Sequence, residues 1–219
     1  MKIIISNKMN YLLDIYERFG DNAQKALDFA KRNTEEYNPS NDQVGGWSIA
    51  NGVYIIYEDG TFLPAESAKK GKISLIGIAY DGHYFSVPLN WNYGKSRLLN
   101  KDKYPEDEYC QREIEAIMDW DFVKHTNHLK ELGLAIELKN GHYLPTMPVF
   151  GAMYHNREAL NEALKYAGAE EIDFSEDFWF AQRYNVNYAW IFNGNYRYLT
   201  YIYVYYTYQC GAVSLWKPV

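Results

Sequence analysis

The stretch Phe178-Trp179-Phe180-Ala181-Gln182-Arg183-Tyr184-Asn185-Val186-Asn187-Tyr188-Ala189-Trp190-Ile191-Phe192-Asn193-Gly194-Asn195-Tyr196-Arg197-Tyr198-Leu199-Thr200-Tyr201-Ile202-Tyr203-Val204-Tyr205-Tyr206-Thr207-Tyr208-Gln209 decides the fold. It holds nine of the chain's 22 tyrosines, and its only charges are Arg183 and Arg197. Aromatic and β-branched residues at this density favour strands, and Asn193-Gly194-Asn195 reads as a hairpin turn. The C-terminal third is therefore expected to be antiparallel sheet as far as Trp216.

Working outward, Phe150 to Ala167 carries the three- and four-residue apolar spacing of one long amphipathic helix, closed at Gly168. Gly141 to Thr146 reads as an extended piece ended by Pro145, and Tyr109 to Leu138 as two helices with a break at Gly133. The charged run 101–108 reads as an exposed loop. Further back, Gly52-Val53-Tyr54-Ile55-Ile56-Tyr57, Ile73 to Tyr80 and His83 to Leu89 alternate as strands, turned by Glu58-Asp59-Gly60 and Asp81-Gly82. From Lys8 to Glu36 the spacing is helical, interrupted at Gly20-Asp21, and the turn formers Asn38 to Asp42 mark a boundary. The expected organisation is an N-terminal helical segment, 1–41, and an α+β domain, 42–219, with mainly antiparallel strands and one long helix before the C-terminal ones.

Composition narrows function. The chain has 219 residues, 47% hydrophobic, enough for a real core. A net charge of -6 leaves it without the basic surface that attracts phosphates, so nucleic acid is not an expected partner. Two cysteines, Cys110 and Cys210, exclude a disulfide-dense scaffold and a four-cysteine metal site. No apolar run reaches the ~18 residues of a membrane span, and Met1 to Ser6 is too short for a signal-peptide core. The protein is expected to stay in the cytoplasm where it is made, or to join a virion, without membrane insertion.

The tyrosines invite a binding role. A buried phenol needs a hydrogen-bond partner, and the segment offers little beyond Asn185, Asn187, Asn193, Asn195 and two threonines, so many hydroxyls must reach water. Tyrosine gives contact area and a hydrogen bond at the cost of two torsions, which suits a binding surface. The competing readings are an ordinary sheet core and an aggregation-prone sheet edge.

Here the residues carry a family resemblance. Tyr143-Leu144-Pro145-Thr146, the helix Tyr154-His155-Asn156-Arg157-Glu158-Ala159-Leu160-Asn161-Glu162-Ala163-Leu164, Gly168, Phe178-Trp179, Ala189-Trp190 and Ala212-Val213 follow one another as in C-type-lectin-fold modules of the formylglycine-generating-enzyme type. Within that group the chain is most similar to the variable proteins of diversity-generating retroelements, found in phages and gut bacteria. The resemblance covers about 45–216 and leaves the N-terminal helical part unmatched. Two departures are Phe180-Ala181, where such proteins often have Ser-Ser, and Gly211, where they often have Arg.

In those proteins an Asn-rich template is copied with its adenines randomised, which yields Tyr, Phe, Ile, Val, Ser, Thr, Asp, Cys, Arg and several others but never Lys, Glu, Met, Gln or Trp. From Phe178 to Tyr208 there is no Lys, Glu or Met. The resemblance thus implies a variable region of about 178–211 in which Phe180, Arg183, Tyr184, Val186, Tyr188, Ile191, Tyr196, Tyr198, Tyr201, Tyr203, Tyr205, Tyr206 and Tyr208 face outward and bind. Trp179, Trp190 and Val213 should lie buried beneath them, and Trp179, Gln182, Trp190 and Gln209 are scaffold. The implied ligand is a protein or a cell surface, with no cofactor, and the helical segment 1–41 is a candidate for self-association.

Catalytic chemistry finds thin support in the residues. His125-x-x-His128 could present two imidazoles on one helical face, with Asp119 or Asp121 adding a carboxylate, against a plain solvated face. His83, His142 and His155 stand singly. Calcium-lectin Glu-Pro-Asn and Trp-Asn-Asp signatures, phosphate loops and Gly-x-Ser-x-Gly are absent. A formylglycine-generating-enzyme-like oxidoreductase would use a close cysteine pair, whereas Cys110 and Cys210 lie in different elements; a structural, oligomeric virion component is the third alternative. Binding without turnover is the expected function.

Overall fold

The computed structural model describes residues 49–101, 104 and 106–218. The chain divides into two units, Met1–Ala50 and Asn51–Val219, and the helical segment expected at 1–41 lies outside the described residues. The second unit is mixed α+β, with two five-stranded sheets and four helices among the described residues.

The first sheet grows from the alternating runs. Strands β1 (Gly52–Tyr57), β2 (Phe62–Pro64), β3 (Ile73–Tyr80) and β4 (His83–Pro88) pair antiparallel. Asp81 and Gly82, at φ 48° and 78°, make the tight turn that sets Tyr80 opposite His83. With β10 (Ser214–Leu215) added from the C-terminus, the order is β10-β4-β3-β1-β2.

The second sheet collects the aromatic segment. It comprises β5 (Asn92–Ser96), β6 (Phe178–Arg183), β7 (Tyr188–Asn193), β8 (Tyr198–Tyr203) and β9 (Tyr208–Gly211), in the order β5-β9-β6-β7-β8. Pairing is antiparallel except between β6 and β9. The β7–β8 hairpin turns at the expected Gly194, where a Cβ would come 2.2 Å from the Glu176 carbonyl oxygen. Only glycine fits that approach.

Helices cover this sheet. Between 109 and 138 lie α1 (Glu113–Met118) and α2 (Phe122–Leu132), the latter ending at Gly133 as expected. The single helix expected over 150–167 is two: α3 (Met147–His155) and α4 (Arg157–Tyr166), parted at Asn156, whose side-chain amide donates back to the Ala152 carbonyl. The physical reason is a difference in burial. Helix α3 is buried nearly all round, whereas α4 buries only the stripe Leu160, Ala163 and Leu164. A straight helix could not serve both environments.

At β6 and β7 both faces of the second sheet are therefore packed. Phe178, Phe180 and Phe192 meet Phe150 of α3 at ring separations of 5.0–5.5 Å. On the other face Trp179, Ala181, Ala189 and Ile191 join Leu98, Leu99, Leu129 and Leu144 in one core.

Candidate functional site

Strand β6 is the centre of the sheet, and every one of its residues is buried. That corrects part of the outward face expected from the sequence: Phe180, Arg183 and Ile191 lie inside, at 0%, 1% and 1% exposure. Two-residue alternation carries no inside-outside information in a strand covered on both faces. The β6–β7 register also shifts between Trp179 and Arg183, where Ala181 N–H turns aside to the Pro145 carbonyl. Trp179, Trp190 and Val213 are buried as expected.

The remaining candidates divide by position. Tyr196, Tyr198, Tyr201, Tyr205 and Tyr206 are exposed; Tyr184, Val186, Tyr188, Tyr203 and Tyr208 are half-buried. Seven tyrosines touch ring to ring in one ribbon. Tyr184 stacks on Tyr201 at 4.0 Å and 8°, Tyr188 meets the edge of Tyr201 at 5.6 Å and lies 4.1 Å from Tyr203. Tyr203 stacks on Tyr205, Tyr205 lies tilted 4.9 Å from Tyr206, and Tyr206 leads to Tyr208, which meets Trp179 edge to face. Tyr196 and Tyr198 form a separate pair, and strand alternation puts Tyr198 on the face of β8 opposite Tyr201.

The ribbon is neutral. Its hydrogen bond to Tyr203, with the neighbouring phenols, pushes the Tyr188 hydroxyl up to about 12. Arg183 is buried below, and Arg197 sits in the turn at the other end of β8. The surface can offer π-faces and phenol hydroxyls, the chemistry of contact and hydrogen bonding rather than of proton transfer.

Beneath it lies a polar anchor that the sequence reading missed, because 101–108 reads as solvated loop. Asp107 turns inward to an ion pair with Arg183 and accepts from His128 Nε2 at 3.0 Å. Tyr109 stacks on His128 at 3.8 Å and 9°. Beside it, Asp119 accepts from His125 Nε2 at 2.8 Å and Gln111 at 2.6 Å. Gln182 binds Gln111, the Ala116 carbonyl and Met147 N–H, tying α1 and α3 to β6. A lone arginine amid Phe180-Ala181-Gln182 was the available signal, since an isolated charge in an apolar strand needs an inward partner. His125 is buried, which corrects the solvated-face alternative for the His125-x-x-His128 pair; the two imidazoles go to different carboxylates. No group of three His, Cys, Asp or Glu gathers in metal-holding geometry among the described residues. Burial pushes the Cys210 thiol up to about 12, so it carries no thiolate at neutral pH.

The anchor has a pH signature. Burial alone would raise Asp107 and Asp119, but Arg183 with the Tyr109 N–H, and His125 with the Asp121 N–H, outweigh it and hold both carboxyls low. Carboxyls lower in the folded than the unfolded chain stabilise it above the ordinary carboxylate pKa of about 4, and that contribution is lost as pH falls through the folded values. Thermal melts are therefore expected to be flat from neutral pH to about 5 and to fall steeply below about 4. Asp107→Asn should flatten the acid limb; an unchanged limb would show that the pair does not set it.

No helix among the described residues is long and apolar enough to cross a membrane. No protein-family model, curated protein or solved structure matches the chain.

Proposed function

We propose that this is a ligand-binding protein without catalytic turnover, whose tyrosine ribbon is a hypervariable surface diversified by a retroelement on a C-type-lectin-like domain. The observation that carries this reading is the division of residue types by exposure. Within 178–211 the exposed positions are Asn195, Tyr196, Arg197, Tyr198, Tyr201, Tyr205, Tyr206 and Thr207, all kinds that adenine randomisation of Asn codons supplies. The kinds it does not supply, Trp179, Gln182, Trp190 and Gln209, are all buried. Residues that vary freely cannot also hold a core, where large-to-small changes cost about 2–5 kcal/mol. The ligand such a surface suits is a protein or a cell surface.

Two tests apply. A reverse-transcriptase gene and an Asn-codon-rich near-copy of codons 178–211 are expected beside this gene; a neighbourhood with neither removes the retroelement. The triple variant Tyr201→Ser, Tyr205→Ser, Tyr206→Ser is expected to melt within about 6 °C of the native chain, at roughly 0.5 kcal/mol per exposed site. A collapse on heating would make the ribbon part of the core and end the binding reading.

A further inference from the structure

Backbone register aligns one pair of tyrosines ring against ring. Tyr188 on β7 and Tyr203 on β8 are directly opposed, and one step further out Val204 N–H donates to the Asn187 carbonyl. Hydrogen-bonded and non-hydrogen-bonded pairs alternate along an antiparallel ladder, so Tyr188 and Tyr203 form a non-hydrogen-bonded pair, the kind whose side chains come closest. Their Cβ atoms start about 5 Å apart on one face of the sheet. The ring centroids are 4.1 Å apart at 35°, so two side chains of equal length run outward together and their tips stay side by side. The Tyr188 hydroxyl bonds to Tyr203 and stays protonated well past neutral pH. Among the described residues only this contact joins two tyrosines opposed across a ladder: Tyr184 lies outside β7, and Tyr203, Tyr205 and Tyr206 touch along one stretch of chain.

Phenols aligned in this way share a chemistry. A phenol that gives up one electron and one proton becomes a phenoxyl radical, whose unpaired spin lies on the oxygen and on the ring carbons ortho and para to it. In tyrosine the para carbon carries the link to Cβ, which leaves the ortho carbons free to couple. Adjacent hydroxyls bring an ortho carbon of Tyr188 beside one of Tyr203. Both rings are half-buried, so a small oxidant reaches them while the two strands hold them in place.

We propose that Tyr188 and Tyr203 are a site of oxidative cross-linking, joined by a carbon–carbon bond between their ortho carbons when the chain meets a one-electron oxidant. Each phenol delivers one electron to the oxidant and one proton to water. The two radicals pair their spins in the new bond, and the hydrogen on each coupled carbon moves to its ring's oxygen and restores the aromatic ring. The pair loses two hydrogen atoms in all. The product keeps its two hydroxyls side by side, as the native rings already hold them. Such a staple across the β7–β8 hairpin fixes the two strands that carry the ribbon and, unlike a disulfide, is not reversed by thiols. The coupling stands on ring geometry and register and does not depend on what the ribbon binds.

The experiment is light-driven oxidation of the dilute, full native chain with ruthenium tris(bipyridyl) and persulfate. Trypsin cuts after Arg183 and Arg197 and so separates Tyr188 from Tyr203. The expected result is dityrosine fluorescence in the monomer band, with peptides 184–197 and 198–219 still joined after digestion at two hydrogen atoms below their summed mass. Fragmentation of the joined peptides should place the bond at Tyr188 and Tyr203. Tyr203→Phe keeps the ring without the phenol and should lose the joined peptides, whereas Tyr198→Phe should retain them. Absence of joined peptides from the native chain, their persistence in Tyr203→Phe, a bond mapped to another pair such as Tyr184 and Tyr201, or coupling only between chains would each overturn the site. An equal yield of the same bond from chain unfolded in urea would overturn it as well, since the fold would then have no part in the pairing.

Discussion

Replacing Trp190 by alanine is expected to lower the unfolding free energy by about 3–5 kcal/mol, a large part of the ~5–15 kcal/mol that holds a domain folded. The indole is 3% exposed and closes the gap between the ribbon and the anchor. Its Nε1 donates to the Gln111 carbonyl at 2.9 Å, and its ring meets Tyr184 and Tyr201 edge-on at 5.2 and 5.4 Å. Truncation removes the buried area, leaves a cavity, and strips a partner from a part-buried carbonyl. At about 2–4 °C per kcal/mol for a chain of this size, the melting temperature should drop by roughly 6–20 °C. Urea unfolding of Trp190→Ala beside Tyr205→Ser is the measurement. Tolerance at Trp190 with collapse at Tyr205 would reverse the assigned roles.

That contrast marks what was legible in the chain. Strand-forming density and turn chemistry located the C-terminal strands, the Asp81-Gly82 hairpin and the hairpin at Gly194, because local propensity and tertiary need agree there. The fate of Trp179 and Trp190 was legible as well, since large indoles among tyrosines are the natural core. Phe180 and Ile191 were misplaced for a tertiary reason: a central strand under α3 on one side and Leu98, Leu129 and Leu144 on the other has no outside. The split at Asn156 was hidden similarly, because helical spacing runs through it while the surroundings of α3 and α4 differ. The anchor was hidden most deeply. Asp107 and Arg183 are 76 residues apart, and nothing in a charged loop announces that one of its carboxylates faces inward.

Removing one side of that anchor is the second large effect. Asp107→Ala is expected to cost about 3 kcal/mol, the low end of the ~3–5 kcal/mol for breaking a buried pair, since 24% of the Asp107 side chain still reaches water. The cost arises less from a lost attraction than from what remains: the Arg183 side chain is 1% exposed and has no route to solvent without moving β6. His128, at 3.4 Å from the guanidinium, cannot replace the carboxylate and would itself lose its acceptor. The double variant Asp107→Leu, Arg183→Met should regain much of the loss, because apolar residues of similar volume carry no desolvation cost. A double variant no better than the single one would mean that the charges themselves hold the fold. Regained stability also isolates the positioning role. The carbonyl of Arg183 accepts from Gln111 N–H at 2.8 Å, and Gln111 in turn holds Trp190, on whose ring Tyr184 and Tyr201 rest. If the ion pair aims the ribbon, tryptophan fluorescence should report an altered Trp190 environment in the double variant although the chain is as stable as before.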